Sequence, residues 1–370
     1  MNAYLHVPFC ASICSYCDFT SFAGQDSKIG AYAKALGLEI AGSALGGPLQ
    51  TVYFGGGTPS VLAPDQLSLI LQSLREKAGF AAGAEISLEA NPETADPGKF
   101  KAYRELGVNR LSFGAQAAQG KILRRLGRGH DWPQVEKAFT LAREAGFDNL
   151  NLDLMLGLPG QTPGDFKQSL EKTVSLQPDH LSVYALQVEE GTPLARQVAE
   201  GLALPSEDEA ADEYALAQDF LAAQGFEQYE VSNFAKPGKA CRHNLNIWRG
   251  EDYWGFGLSA VGTVGGVRHS HNEDLTGYLE AAQRGERPAL SLEPLTPQVR
   301  QFEKLMLGLR TREGVSRRDW EDYEKSRGLA LDARLRLWES RGLLTLGPDR
   351  YQVTPRGFFV LNGLLEALVA

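Results

Sequence analysis

The sequence is poor in the features that mark several protein classes. No apolar run approaches the roughly 20 residues needed to cross a bilayer, so no transmembrane segment is predicted. A basic face is missing: 37 Lys and Arg stand against 46 Asp and Glu, giving a net charge of -9 and a pI near 5.3. That balance argues against a nucleic-acid partner. The first residues lack a basic stretch followed by an apolar core, so no signal peptide is expected. Cysteine is scarce, four in 370 residues, and three of the four are bunched. This makes a poor disulfide framework, and a cytoplasmic protein with reduced thiols is the expectation. Repeats and low-complexity segments are absent.

What remains is an ordinary globular composition, 43% hydrophobic and 22% charged, long enough for a large core and two or three domains. The informative stretch is Tyr4-Leu-His-Val-Pro-Phe-Cys-Ala-Ser-Ile-Cys-Ser-Tyr-Cys-Asp-Phe19. Cys10, Cys14 and Cys17 put three soft ligands on one short loop in the spacing C-x3-C-x2-C. Incidental buried cysteines are the plain alternative. Structural zinc would want a fourth ligand in a second pair, whereas Cys241 stands alone. A [4Fe–4S] centre usually takes four cysteines. With three, one iron keeps an open position for a small molecule.

Alternation along the chain predicts a series of strands with one apolar and one polar face. In residues 3–8, Tyr4 and His6 share a face; the strand over 51–54 runs into Gly55-Gly56-Gly57-Thr58-Pro59. A glycine run lets backbone approach a ligand closely, or is simply a turn. Further on, Ser87 and Glu89 oppose Ile86 and Leu88; Arg110, Ser112, Gly114 and Gln116 oppose Leu111 and Phe113. Asn149, Asn151 and Asp153 oppose three leucines, and His180, Ser182 and Tyr184 oppose Leu181 and Val183. Helical patterns lie between them, over 28–43, 64–78, 96–106, 131–145 and 163–176, several stopped by glycine. Six βα units imply a parallel sheet. Strands apolar on one face only suit a curved sheet with helices outside and a polar lumen, hence a partial (β/α)6 TIM-like barrel. Chemistry in such barrels sits at the C-terminal ends of the strands, where the cysteine loop, the glycine loop, Glu89, Gln116 and Asp153 all fall.

Tyr4-x-His6-x-Pro8-Phe9-Cys10-x3-Cys14-x2-Cys17 resembles the cluster loop of radical S-adenosylmethionine (SAM) enzymes. More narrowly it is similar to oxygen-independent coproporphyrinogen III oxidase and to the related HemW family of heme chaperones. The resemblance implies a [4Fe–4S] cluster on Cys10, Cys14 and Cys17, with SAM chelating the open iron. Carried over position by position, it implies that Tyr4, Gly56 and Glu89 contact that SAM. Gly57, Thr58, Gln116, Arg128 and Asp153 match positions that hold a second SAM in the oxidase, with Arg128 as a carboxylate clamp; a solvated arginine would be the default without the match. The oxidase has a fourth cysteine two residues after the third, where this chain has Phe19. The chaperone branch reads C-x2-C-D-F, as here.

The second half begins with a connection over 193–204 and a helix from Ser206, with Ser206 and Glu209 as capping box and Gly225 as stop. A dense aromatic stretch follows, from Cys241-Arg-His-Asn through Trp254 and Phe256. His243, Asn244 and Trp248 resemble the H-N-x-x-Y-W segment of heme chaperones, which is tied to heme binding, although Ile247 replaces the tyrosine. A packing corner in which His243 bonds to backbone is the ordinary alternative; Cys241 offers a thiolate ligand as one reading, with an ordinary buried cysteine as the expectation. His269 and His271 are expected at the surface or in a lid. A Pro-rich joint over 287–297 precedes helical patterns and a hairpin around Gly347-Pro-Asp-Arg350, a winged-helix-like arrangement.

The expectations are a radical SAM partial barrel over 1–190, a barrel extension with a heme-binding segment over 191–290, and a winged-helix-like C-terminal domain over 291–370. The resemblance implies a heme chaperone that holds a cluster, SAM and heme and delivers heme to recipient hemoproteins. It also allows a homodimer and peripheral membrane attachment through the recipients. The competing functions are oxidative decarboxylation of coproporphyrinogen III to protoporphyrinogen IX, and radical SAM chemistry on an unrelated substrate. Phe19 and the 243–248 segment favour the chaperone.

Overall fold

The computed structural model describes residues 1–369, with side chains through Glu366. Six strands, β1 (Asn2–Val7), β2 (Leu49–Gly56), β3 (Phe80–Ala90), β4 (Arg110–Gln116), β5 (Leu150–Leu156) and β6 (His180–Ala185), pair in parallel in chain order. Helices α1 (Ile29–Gly42), α2 (Pro64–Lys77), α3 (Pro97–Leu106), α4 (Trp132–Glu144) and α5 (Pro163–Ser175) make the crossovers, and α6 (Glu207–Ala223) follows β6. Their boundaries follow from the sequence. Each of α2 to α5 has proline in its first turn, where the missing N–H costs nothing. Asp131 with Gln134 and Ser206 with Glu209 close capping boxes, and Gly107 ends α3 in the left-handed region at φ 108°.

Val52, Phe54, Leu88, Leu111, Phe113, Leu152, Leu154 and Leu181 point to the helices and are buried in one continuous core. The alternate residues turn inward and are polar, as the one-sided alternation predicts. A lumen lined this way resists close packing and stays open to a ligand. The sheet does not close on itself: its order runs from residues 290–294 at one edge to residues 227–228 at the other, the architecture of a partial barrel.

Four features differ from the sequence expectation. Tyr253–Phe256 is a strand, a seventh parallel neighbour that pairs with the outer edge of β1. Its aromatic residues therefore alternate across a sheet instead of gathering around one ring. The 193–204 connection contains a helix, Pro193–Ala199, capped by Thr192 and anchored by buried Leu194. The Pro-rich joint supplies an edge strand, Leu290–Pro294, which pairs antiparallel with Val267–His271; proline is tolerated there because an edge strand has an unpaired side. His269 and His271 are buried, not at the surface, because they lie on the middle strand of that antiparallel extension and turn to its covered face.

The base of the barrel is plugged by the helix Arg242–Trp248. Glu85, at the start of the inner part of β3, accepts the Arg242 and His243 N–H groups at 3.1 and 3.0 Å, a carboxylate at a helix N-terminus. After Pro297–Leu309, the helices Arg317–Arg327 and Asp332–Ser340 and the hairpin of Leu344–Leu346 with Arg350–Val353 make the winged-helix-like unit. Among the described residues no helix is long and apolar enough to cross a membrane.

Candidate cofactor site

The cysteine loop leaves the C-terminal end of β1 and is tied to the barrel at several backbone points. Ser15 N–H donates to the Leu126 carbonyl at 2.9 Å, and Leu194 N–H donates to the Ser15 carbonyl at 2.8 Å. On the other side Gly57 and Thr58 donate to the carbonyls of Val7 and Phe9. Phe9 is the hinge pin, buried against the edge of Tyr32 at 5.3 Å. The glycines are dictated by crowding. A Cβ on Gly57 would stand 2.8 Å from the Phe9 carbonyl oxygen and 3.0 Å from Cys10 Sγ. Gly56 has φ 109°, and a Cβ there would enter the His6 ring at 2.5 Å.

Above the strand ends opens a cavity of about 350 Å³, within the range of small-molecule sites. Cys10, Cys14, Cys17, Gly56, Gly57, Thr58, Glu89, Gln116, Arg128 and Asp153 all line it. Tyr4 does not. Its hydroxyl meets His6 Nδ1 at 3.0 Å, and Nε2 of that ring faces the Thr20 carbonyl at 2.9 Å, so Tyr4 braces the loop from behind. Asn244 reaches the cavity from the plug helix, but His243 and Trp248 do not line it. His243 is 2% exposed, with Nδ1 2.8 Å from Thr51 Oγ1, its ring stacked on Tyr53 and Nε2 buried without a partner. Burial, then the Arg110 charge, lowers its pKa to about 3, so it is a neutral ring under the cavity floor. Trp248 packs beneath the Arg310 guanidinium.

A ring of hydrogen bonds ties the cysteine loop to three barrel segments. Thr58 Oγ1 donates to Cys10 Sγ at 3.4 Å, and Asn91 Nδ2 donates to Thr58 Oγ1 at 3.1 Å. Arg128 Nη1 donates to Asn91 Oδ1 at 2.9 Å, and Nη2 donates to Tyr16 OH at 2.7 Å, back in the loop. Asn91 and Tyr16 were not among the expected site residues. Asn91 was legible, since it stands two residues after Glu89 on the same side of the chain; Tyr16 lies inside the cysteine spacing itself.

Two carboxylates sit deeper. Tyr53 OH donates to Glu89 Oε1 at 2.7 Å, and burial, only partly countered by that bond, pushes the Glu89 pKa up to about 7. Asp153 accepts from Ser112 Oγ at 3.2 Å and Asn151 Nδ2 at 2.7 Å, and burial raises its pKa as well. Beneath them Arg110, 2% exposed, faces the lumen with Nε and Nη1 unpartnered. Cys10 and Cys17 have raised pKa values, chiefly through burial, so metal-free they are thiols; ligation would draw off the protons.

Residues 4–173 match the model of the radical SAM superfamily, and residues 295–360 match that of the HemN C-terminal domain. A heme chaperone HemW of Bacillus subtilis is 35% identical over 374 residues, covering 100% of this chain and 99% of the relative. The chain belongs to the HemW family. The Escherichia coli heme chaperone HemW is also 35% identical, over 100% of this chain and 98% of its own. Among solved structures, coproporphyrinogen III oxidase (HemN) from Escherichia coli, described as a radical SAM enzyme, superposes with a TM-score of 0.83 at 25% identity, covering 99% of this chain and 89% of that one.

Membership in this superfamily implies a [4Fe–4S] cluster and SAM, and the residues present fit both. Three thiols that line the cavity wall are soft ligands for iron. The rest of the cavity offers carboxylates, a guanidinium, amides and a crowded glycine edge, the complement expected for a zwitterionic ligand with a polar ribose.

Proposed function

We propose that the protein is a heme chaperone that holds a [4Fe–4S] cluster and SAM in the barrel and hands heme to recipient hemoproteins. The observation that carries this is the full-length likeness, at 35% identity, to two heme chaperones named HemW, joined to Phe19. That residue stands where the oxidase continues its cysteine motif, and it is 65% exposed at the cavity mouth. A phenyl ring supplies no thiolate.

In this function Cys10, Cys14 and Cys17 hold the cluster, which when bound supplies an open iron for the amino and carboxylate groups of SAM. Glu89, poised near neutrality, takes the positive end of SAM once its proton leaves, and Tyr53 fixes its orientation. Arg128, already spread between Asn91 and Tyr16, keeps its charge at the rim for a carboxylate. Gly56 and Gly57 admit the ligand to the backbone. Gln116, at φ 63° with Oε1 unpartnered, and Asp153 complete the wall. Three half-exposed free thiols suit a reducing cytoplasm.

The oxidase function has its own support: apart from Tyr4, the residues matched to both SAM positions line the cavity, and the HemN fold is shared along the chain. Heme transfer separates the two. Hemin-loaded protein mixed with a heme-free acceptor hemoprotein should lose its Soret band as the acceptor's band appears. No transfer, from a protein that turns over coproporphyrinogen III, refutes the chaperone.

A further inference from the structure

A second cavity of about 380 Å³ lies outside the barrel, between the C-terminal end of α1 and the antiparallel extension of the sheet. Its wall is aromatic and aliphatic. Trp254 and Phe256 stack there with ring centroids 5.9 Å apart and planes within 11°. Leu290 and Leu292 of the edge strand line it while 43% and 65% exposed. Exposed leucines on an edge strand are a liability that soluble proteins usually blunt.

Besides the Glu39 carboxylate, the wall carries donors on Trp254, His269 and Arg287. His269 Nε2 accepts the Gly255 N–H at 3.2 Å, so the ring's proton resides on Nδ1 and the ring offers a donor, not an iron-ligating lone pair. Trp254 Nε1–H is buried without an acceptor. Arg287 lines the cavity with no ion pair or hydrogen bond of its own among the described residues. The Glu39 carboxylate is already engaged: it takes the Tyr278 hydroxyl at 2.5 Å and the Gly257 N–H at 3.1 Å, and His271 Nε2 stands 2.8 Å from its Oε1 without forming a hydrogen bond. An unsatisfied buried donor costs about 1–3 kcal/mol, which an incoming acceptor relieves. The complementary ligand is flat, apolar and acidic at its edge.

We propose that this cavity is the heme-carrying site, binding the macrocycle by its face against Trp254, Phe256, Leu290 and Leu292 and a propionate through Arg287 and His269. The assignment rests on the chaperone function above. It separates carriage from the cluster cavity: heme is held by its edge and faces, without an axial imidazole, at an open surface from which a recipient can take it. Weak, ligand-free holding suits a carrier, since an axial bond would have to be broken at each delivery.

The test is hemin titration of the cluster-bearing full-length protein and of Arg287→Glu and Leu292→Glu, followed by the Soret band, with SAM binding measured alongside. Both substituted residues are exposed, so the fold is expected to persist. The expected result is hemin affinity weakened about tenfold or more, the value of one charged contact, with SAM binding unchanged. Protoporphyrin IX without iron should bind nearly as well as hemin, and its dimethyl ester about tenfold worse. If the wild type binds hemin and both variants bind it equally well, the assignment falls while the chaperone function stands. It falls likewise if iron is essential for binding or the ester binds undiminished. A wild type that binds no hemin refutes the chaperone function itself.

Discussion

Glu89 gives the sharpest prediction about the cavity. Its pKa of about 7, against an ordinary 4.5, means that the folded protein holds this proton more tightly than the unfolded chain does. Between those pH values the native state binds more protons, so stability falls as pH rises through the window and levels off above it. At about 1.4 kcal/mol per pH unit the full difference is about 3 kcal/mol, and solvent entering by the cavity mouth reduces it to about 2–3 kcal/mol. Glu89→Gln keeps an oxygen to accept the Tyr53 hydroxyl but never ionises. Urea unfolding of the SAM-free protein at pH 5 to 8 should therefore show the variant about as stable as wild type at the acid end. At pH 8 it should be more stable by about 2–3 kcal/mol. Other buried acids titrate too, Glu230 among them with a pKa near 7, but they cancel in the difference. A variant less stable than wild type at pH 8, or one with the same pH slope, refutes the view of Glu89 as a strained, ligand-awaiting carboxylate. The functional counterpart is that SAM affinity should rise with pH through about 7 in the wild type and lose that dependence in the variant.

Gly56→Ala forces a methyl group into the His6 ring at a φ of 109°, so it should cost about 2–4 kcal/mol in unfolding free energy. His243→Ala removes a buried ring bonded to Thr51 and stacked on Tyr53; calorimetry should show a similar loss of about 2–4 kcal/mol, with hemin uptake retained. Cys14→Ser should abolish the iron–sulfur absorbance of the reconstituted protein and leave the hemin Soret shift in place, because the two cavities share no wall residue.

Much of the barrel was legible because its signal is local. Strict alternation in β3 to β6 told that one face is apolar and the other polar, and the Ser206–Glu209 capping box fixed where α6 begins. The cysteine spacing and the glycine run fell at strand ends, so their convergence followed from topology alone. What stayed hidden depends on pairing between distant segments. Tyr253–Phe256 reads as an aromatic cluster until β1 is seen to lie beside it. His269 and His271 look like surface residues until residues 290–294 cover their strand. The 243–248 motif matched a family pattern, yet a motif does not say which way a helix turns: Asn244 meets the cavity and His243 the floor. Arg110 was seen on the polar face of β4, but that its Nε and Nη1 are buried without a hydrogen-bond partner is a three-dimensional fact.

The central claim is that a radical SAM barrel here serves heme carriage instead of porphyrin oxidation. One anaerobic preparation, with its cluster reconstituted and SAM added, tests it when divided between a hemin titration and a coproporphyrinogen III decarboxylation assay. The account predicts a saturable Soret shift and no protoporphyrinogen IX. Steady turnover of coproporphyrinogen III with no heme-induced shift would contradict it.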